Sequence, residues 1–284
     1  MVTDAVAKFV LLIMMFLTFV GCSSCVNSSY LFGPSNLFRD KRRSFIKIDA
    51  YKNILLSNTS STSEEEYEID LRTTASGAII GHDRELTLVA TSAHVCSIRT
   101  KSQINYFVPN YSNFDSSWIL IEKSSFILND YKGNTYRAIV LKQDHASDIC
   151  ILVTTSISLP KIKISRGKPL IGAKYYNIAA PMGVWDPKAI PLFEGFYLGA
   201  INTHHNSNLS YMFSIPATGG SSGSPIINSY GELMGVIHSS YRGFNHLSLA
   251  TTNNQVCFLY RGAMRKLLKA VSYTHLRAHE TDSY

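Results

Sequence analysis

From Ile69 onward the chain alternates short apolar, β-branched or aromatic runs with turn-forming clusters, spaced roughly every ten residues. Thr74 to Gly81 leads through small residues into an apolar strand, His82 to Glu85 makes a turn, and Leu86 to Ala90 returns as its partner. Trp118 to Ile121, Ile149 to Val153, Tyr176 to Ala180, Leu192 to Ile201 and Tyr211 to Ile215 read as further strands. Ile226-Ile227 and Leu233 to Ile237 flank a tight turn at Tyr230-Gly231, and Ser248 to Thr251 and Val256 to Tyr260 add strand material. The period changes only at Arg261 to Ala270, where Met264, Leu267 and Leu268 form one stripe and Arg265, Lys266 and Lys269 lie outside it, as in an amphipathic helix. The pattern predicts an all-β sandwich or barrel closed by a C-terminal helix. The stretch from Ile98 to Tyr136 is the part it specifies least.

The two ends do not read as fold. Lys8 precedes an apolar run, Phe9 to Val20, that is shorter than the ~20 residues a membrane span needs. Residues 1–21 are therefore expected to be a signal peptide. Phe19-Val20-Gly21-Cys22 is similar to a bacterial lipobox, with Cys22 the residue acylated after cleavage and Phe19 in place of the usual Leu. Residues 22–68 form an N-terminal segment that ends in a polar linker, Ser57 to Glu66, and the folded domain is expected over 69–270. Val271 to Thr281 resembles an in-frame translation of a transposase sequencing adaptor, so residues 271–284 are expected to be an artefact. His275, His279, Glu280 and Asp282 are accordingly not read as a site.

Composition narrows the function. With 45% hydrophobic and 17% charged residues, the 284-residue chain has an ordinary globular balance. Its net charge of +7 comes in short clusters, Arg39 to Arg43 and Arg265-Lys266 with Lys269, and no recognisable nucleic-acid module accompanies them. These are expected to be solvated faces, with anionic headgroups as a second reading. Cys22 and Cys25 belong to the export region, leaving Cys96, Cys150 and Cys257, the last two in strand-like runs where they should be buried as small hydrophobes. A Cys96–Cys150 bridge requires their strands to be close, which the sequence does not fix. No Cys-x-x-Cys pair or histidine pair, His204-His205 included, has a zinc ligand set, so neither metal nor cofactor is expected.

Three local features carry candidate chemistry. Thr218 to Pro225 is a turn of small residues before an apolar strand, and Gly220 and Gly223 leave room for a substrate carbonyl to approach main-chain N–H groups beside Ser222. Such a cluster is also what a flexible loop looks like. His94 ends a strand after small residues, where it can face a cleft, although an isolated histidine is more often a satisfied core residue. Asp148 stands at the lip of Ile149 to Val153, a run apolar enough to be buried on both faces. A carboxylate there needs a hydrogen-bonding partner such as His94, or simply caps a turn. Asp115, Asp130 and Asp144 lie in more polar surroundings.

Taken together, Thr91-Ser92-Ala93-His94-Val95, Ser147-Asp148-Ile149-Cys150-Ile151-Leu152 and Gly220-Ser221-Ser222-Gly223-Ser224-Pro225 resemble the His, Asp and Ser motifs of trypsin-like serine proteases, in that group's order. Ser76 to Ile80, Ala180-Pro181-Met182-Gly183 and the hairpin from Asn228 to Gly235 make the Deg/HtrA type the nearer likeness. The resemblance implies two antiparallel six-stranded β-barrels with the active site between them. It makes His94, Asp148 and Ser222 a catalytic triad and the N–H groups of Gly220 and Ser222 the oxyanion hole. Ser221 stands where the family has Asp or Asn, and Ser224 where it usually has Gly. The His94 to Asp148 interval suggests an insertion, and no PDZ domain is visible. The primary pocket is expected between Pro216-Ala217 and His238-Ser239-Ser240; no acidic residue lies there, which favours small or medium apolar side chains over Arg or Lys. The expected activity is a serine endopeptidase acting on unfolded or exported polypeptides, either anchored through Cys22 in the bacterial cell envelope or secreted, with an oligomer as an open alternative to a monomer. The alternative is a silent protease-fold module that binds unfolded chains or a partner.

Overall fold

The computed structural model describes Phe38 and residues 41–58, 66–97, 118–202, 208–241 and 243–281. The expected signal peptide with Cys22, most of the polar linker, Asp115, His204-His205 and the last three residues lie outside them. Among the described residues no helix is long and apolar enough to cross a membrane.

Twelve strands form two closed six-stranded antiparallel barrels, as expected. The first contains β1 (Phe45–Asn58), β2 (Glu66–Asp83), β3 (Leu86–Thr91), β4 (Trp118–Asn129), β5 (Thr135–Asp144) and β6 (Ile149–Thr155), in the order β1-β2-β3-β6-β5-β4. The second contains β7 (Lys174–Ile178), β8 (Leu192–Asn202), β9 (Leu209–Phe213), β10 (Pro225–Ile227), β11 (Leu233–Tyr241) and β12 (Phe244–Thr251), in the order β10-β11-β12-β9-β8-β7. Closure leaves neither sheet with a free edge. Ile46, Ile48, Ile79, Val89, Leu128 and Leu152 fill the first barrel. Tyr175, Tyr197, Tyr211 and Phe213 fill the second, with neighbouring rings edge-on or tilted at centroid distances of 5.3–6.4 Å.

The strand region begins earlier than Ile69. β1 lies in the N-terminal segment expected to precede the folded domain, and one of its faces is wholly buried, with Ile46, Ile48, Ala50, Lys52, Ile54 and Leu56, while Phe45 and Asp49 are buried on the other. Its intervening charges, Lys47 and Asp49 among them, disguise that pattern. In the interval left open by sequence, β4 and β5 are joined by a turn built on Asp130. This buried carboxylate accepts the N–H groups of Lys132 and Asn134, the Asn134 amide and the Tyr136 hydroxyl.

The C-terminal helix also differs from expectation. α2 (Asn253–Thr281) includes Val256 to Tyr260, the run read as strand. A capping box starts it: Gln255 N–H donates to Thr252 Oγ1 at 3.2 Å, and Gln255 Oε1 accepts the Thr252 N–H at 2.7 Å. Val256, Leu259 and Ala263 then face inward at helical spacing. Cys257 is a half-buried free thiol on this helix, not a buried strand residue. α2 leaves the second barrel and packs on β5, β6 and β11, covering the outer side of β6, whose first six residues are all buried.

Candidate active site

His94 sits in a single helical turn, α1 (Ala93–Cys96), directly after β3. Asp148 closes the turn between β5 and β6 at φ +49°, a left-handed conformation that Asp tolerates better than most residues. The two side chains meet: His94 Nδ1 lies 2.8 Å from Asp148 Oδ2, and the His94 backbone N–H donates to Asp148 Oδ1 at 2.9 Å. One carboxylate thus fixes both the imidazole and the backbone that carries it. Asp148 accounts for the proton on Nδ1, leaving Nε2 as an acceptor. A disulfide between Cys96 and Cys150, each two residues past one member of the pair, ties α1 to the start of β6 with a Cα–Cα separation of 6.5 Å.

The serine turn comes from the second barrel and is pinned to the first. Ser76 N–H donates to Ser222 O at 2.8 Å, and Ser76 Oγ donates to Gly220 O at 2.8 Å while accepting the Ala180 N–H at 3.0 Å. The Ile237 carbonyl accepts both the Gly223 N–H and the Ser92 hydroxyl, each at 2.7 Å, so one acceptor joins the serine turn to the residue before α1. Gly220 and Gly223 are both required. At φ +89° a Cβ on Gly220 would stand 2.4 Å from Ala180 O, and at φ +87° one on Gly223 would stand 2.1 Å from Ser76 O and Thr91 Oγ1. Gly219 O accepts the Met182 N–H at 2.6 Å, which turns that peptide's carbonyl toward the Pro181–Gly183 3-10 turn. Neither the Gly220 nor the Ser222 N–H has an acceptor among the described residues. The Ser222 hydroxyl likewise makes no hydrogen bond there, to His94 or to any other group.

Trypsin-like peptidase domain is the family description whose model matches, over residues 75–236, a span that contains His94, Asp148 and Ser222. The chain belongs to the trypsin-like peptidase family. Among solved structures it is similar to a serine endoprotease from Yersinia pestis, with a TM-score of 0.55 and 17% identity over 82% of this chain and 67% of that one. The M. tuberculosis protease Rv3671c in its active form gives a TM-score of 0.55 and 15% identity over 80% of this chain and 82% of that one. An inactive mutant of the same protease gives 0.53 and 15% over 83% and 93%. At these identities the likeness extends to the fold. No curated protein matches the sequence.

In this trypsin-like peptidase the two departures in the serine motif have structural work. Ser221 is buried and its Oγ accepts the Thr218 N–H at 3.3 Å, bracing the turn from inside. Ser224 Oγ, also buried, accepts the Asn177 amide at 2.7 Å. The residues expected to line the primary pocket divide. Ser239 is exposed, Pro216 and Ser240 are half-buried and Ala217 is buried, whereas the His238 side chain, 9% exposed, is directed at Asp148.

Burial alone would raise the Asp148 pKa, but the His94 charge and hydrogen bonds, with a contribution from His238, outweigh it and hold the carboxyl below its ordinary range. Sequence reasoning missed Lys52. Its side chain is 2% exposed, its Nζ donates to His94 O at 3.1 Å and pairs with Glu122 at 3.5 Å, and burial lowers its pKa despite that partner. A lysine at an inward position of an alternating strand was the available signal. Among the described residues no group of three or more His, Cys, Asp or Glu side chains is arranged to hold a metal ion.

Proposed function

We propose that this trypsin-like peptidase is a serine endopeptidase that cleaves polypeptides through an acyl-enzyme, with His94, Asp148 and Ser222 as its triad. Ser222 Oγ attacks the scissile carbonyl and passes its proton to His94 Nε2, Asp148 holds the imidazole tautomer and stabilises the imidazolium, and the N–H groups of Gly220 and Ser222 receive the oxyanion. His94 then protonates the departing amine, and water repeats the sequence on the acyl-enzyme to release the second product and restore Ser222. The observation that carries this reading is the double grip of Asp148 on His94, 2.8 Å to the ring and 2.9 Å to the backbone. The two unpartnered N–H groups beside Ser222 support it. The missing Ser222–His94 hydrogen bond is compatible with it, because catalytic hydrogen bonds are often long without substrate.

The pocket walls at Pro216-Ala217 and Ser239-Ser240 carry no charge, which supports small or medium apolar side chains before the scissile bond. The Cys96–Cys150 disulfide supports an exported enzyme, since such bonds persist in oxidising compartments. Anchoring in the cell envelope through an acylated Cys22 belongs to the same proposal.

A silent binding module built on the same barrels is the second reading, favoured by the free Ser222 hydroxyl. A fluorophosphonate probe separates the two. Labelling of the folded chain that disappears in Ser222→Ala supports the peptidase, and no labelling of well-folded material supports the binder. A fluorogenic peptide panel preferring Lys or Arg would overturn the pocket assignment.

A further inference from the structure

The triad uses one imidazole, but Asp148 faces two. His238, on β11, places its Nδ1 4.0 Å from Asp148 Oδ2, the same oxygen that lies 2.8 Å from His94 Nδ1. Its other nitrogen, Nε2, is 3.2 Å from the hydroxyl of Ser210 on β9. When Ser210 donates to Nε2, the His238 proton resides on Nδ1 and its N–H faces the carboxylate across a gap too long for a hydrogen bond. It acts there as a fixed dipole. The ring is also nearly closed off from water, in a position where the charged form is costly.

Resting on the peptidase reading of this site, we propose that His238 is a positioning residue for Asp148 that doubles as an acid-operated brake on the triad. Neutral, it steadies the carboxylate beneath His94. Protonated from solvent, it becomes a second cation on the same oxygen. The transition state needs a positive charge on His94, and two imidazolium ions sharing one carboxylate repel, so the protonated form turns over poorly. Among the described residues, Asp148, on the turn before β6, and His94, on α1, are the charged or titratable groups that act on the His238 ring; Ser210 reaches it from β9 as an uncharged partner. Burial draws the His238 pKa down, Asp148 opposes that, and His94 adds to it, leaving the ring neutral near neutrality. A charge on His94 therefore bears on the protonation of His238.

The test is the pH dependence of kcat/KM on a fluorogenic peptide, for the wild-type chain and His238→Asn, with activity recovered on return to neutral pH. Well below both midpoints each pH unit should cost the wild type about 100-fold and the variant about 10-fold, as for two protons against one. Acid limbs of equal slope would overturn the brake. Where His238→Asn does not fold, or no turnover is found, imidazole NMR of the Ser222→Ala chain decides. Two-step titration of the His238 signals is expected, and a single-step curve would overturn the coupling. Because that titration needs no catalysis, failure of the peptidase assignment, seen as no probe labelling, is told apart from failure of the brake.

Discussion

At the residue scale, the most informative group is Asp148, because it acts on His94 at two atoms. Asp148→Asn should lower kcat by about 10⁴-fold while keeping the fold, since the amide cannot enforce the tautomer; steady-state kinetics with circular dichroism check this. Gly223→Ala should be harsher on structure. Its Cβ would collide with Ser76 O and Thr91 Oγ1 at 2.1 Å, and relieving that would break the pinning of the serine turn. A loss of at least about 2 kcal/mol in denaturant unfolding is expected, together with loss of probe labelling. Acid should also destabilise the fold in two windows. His238 has a folded pKa below its unfolded one, so as pH falls past about 6.5 the unfolded chain takes up that proton first and stability drops. Asp148 also has a lowered pKa; its contribution is complete above about 3.9, the unfolded value, and disappears as pH falls through the folded one. Urea titrations from pH 7 downward should show His238→Asn losing less stability in the upper window. The proposed triad positions, His94, Asp148 and Ser222, stand out in sequence because each sits beside small residues at an element boundary. Lys52 and the orientation of His238 were not, since each depends on what a strand faces in the closed barrel, and a linear pattern does not carry that information.

At the element scale, the strands of the second barrel follow their apolar runs closely, because turns such as Asn228 to Glu232 carry unambiguous chemistry. There the Asn228 carboxamide oxygen accepts the N–H groups of Tyr230 and Glu232, and Gly231 takes φ +72°. The misreadings have a common cause in local propensity. Val256 to Tyr260 is rich in β-favouring residues, yet the Thr252–Gln255 box and the inward spacing of Val256, Leu259 and Ala263 make it helix. Thr252→Ala should therefore cost about 1 kcal/mol in thermal or denaturant unfolding, with the active site unaffected. β1 escaped notice for the opposite reason: Lys52 interrupts its buried face, and Lys47 and Asp49 sit among the positions between. An alternation count would have found it, leaving β5 (Thr135–Asp144) as the first-barrel strand still unread.

At the scale of the whole molecule, the proposed active site depends on two separately closed sheets holding their facing loops in register. The Cys96–Cys150 bond fastens the His94 turn to the Asp148 turn within one barrel. Replacing both cysteines with alanine should lower stability by about 2–5 kcal/mol and reduce kcat/KM more than KM alone accounts for, read by melting curves and peptide kinetics. α2 spans from the last strand of the second barrel onto β5 and β6 of the first, so the chain's own C-terminal element braces the pair. The Ile237 carbonyl, which takes one hydrogen from the serine turn and one from Ser92 before α1, lies where the barrels meet. Any parting of the two halves has to surrender the Ser92 bond to Ile237 together with the two Ser76 bonds to the serine turn. Working and idle enzyme should therefore interconvert as a toggle, with no half-assembled centre able to cut at a reduced rate.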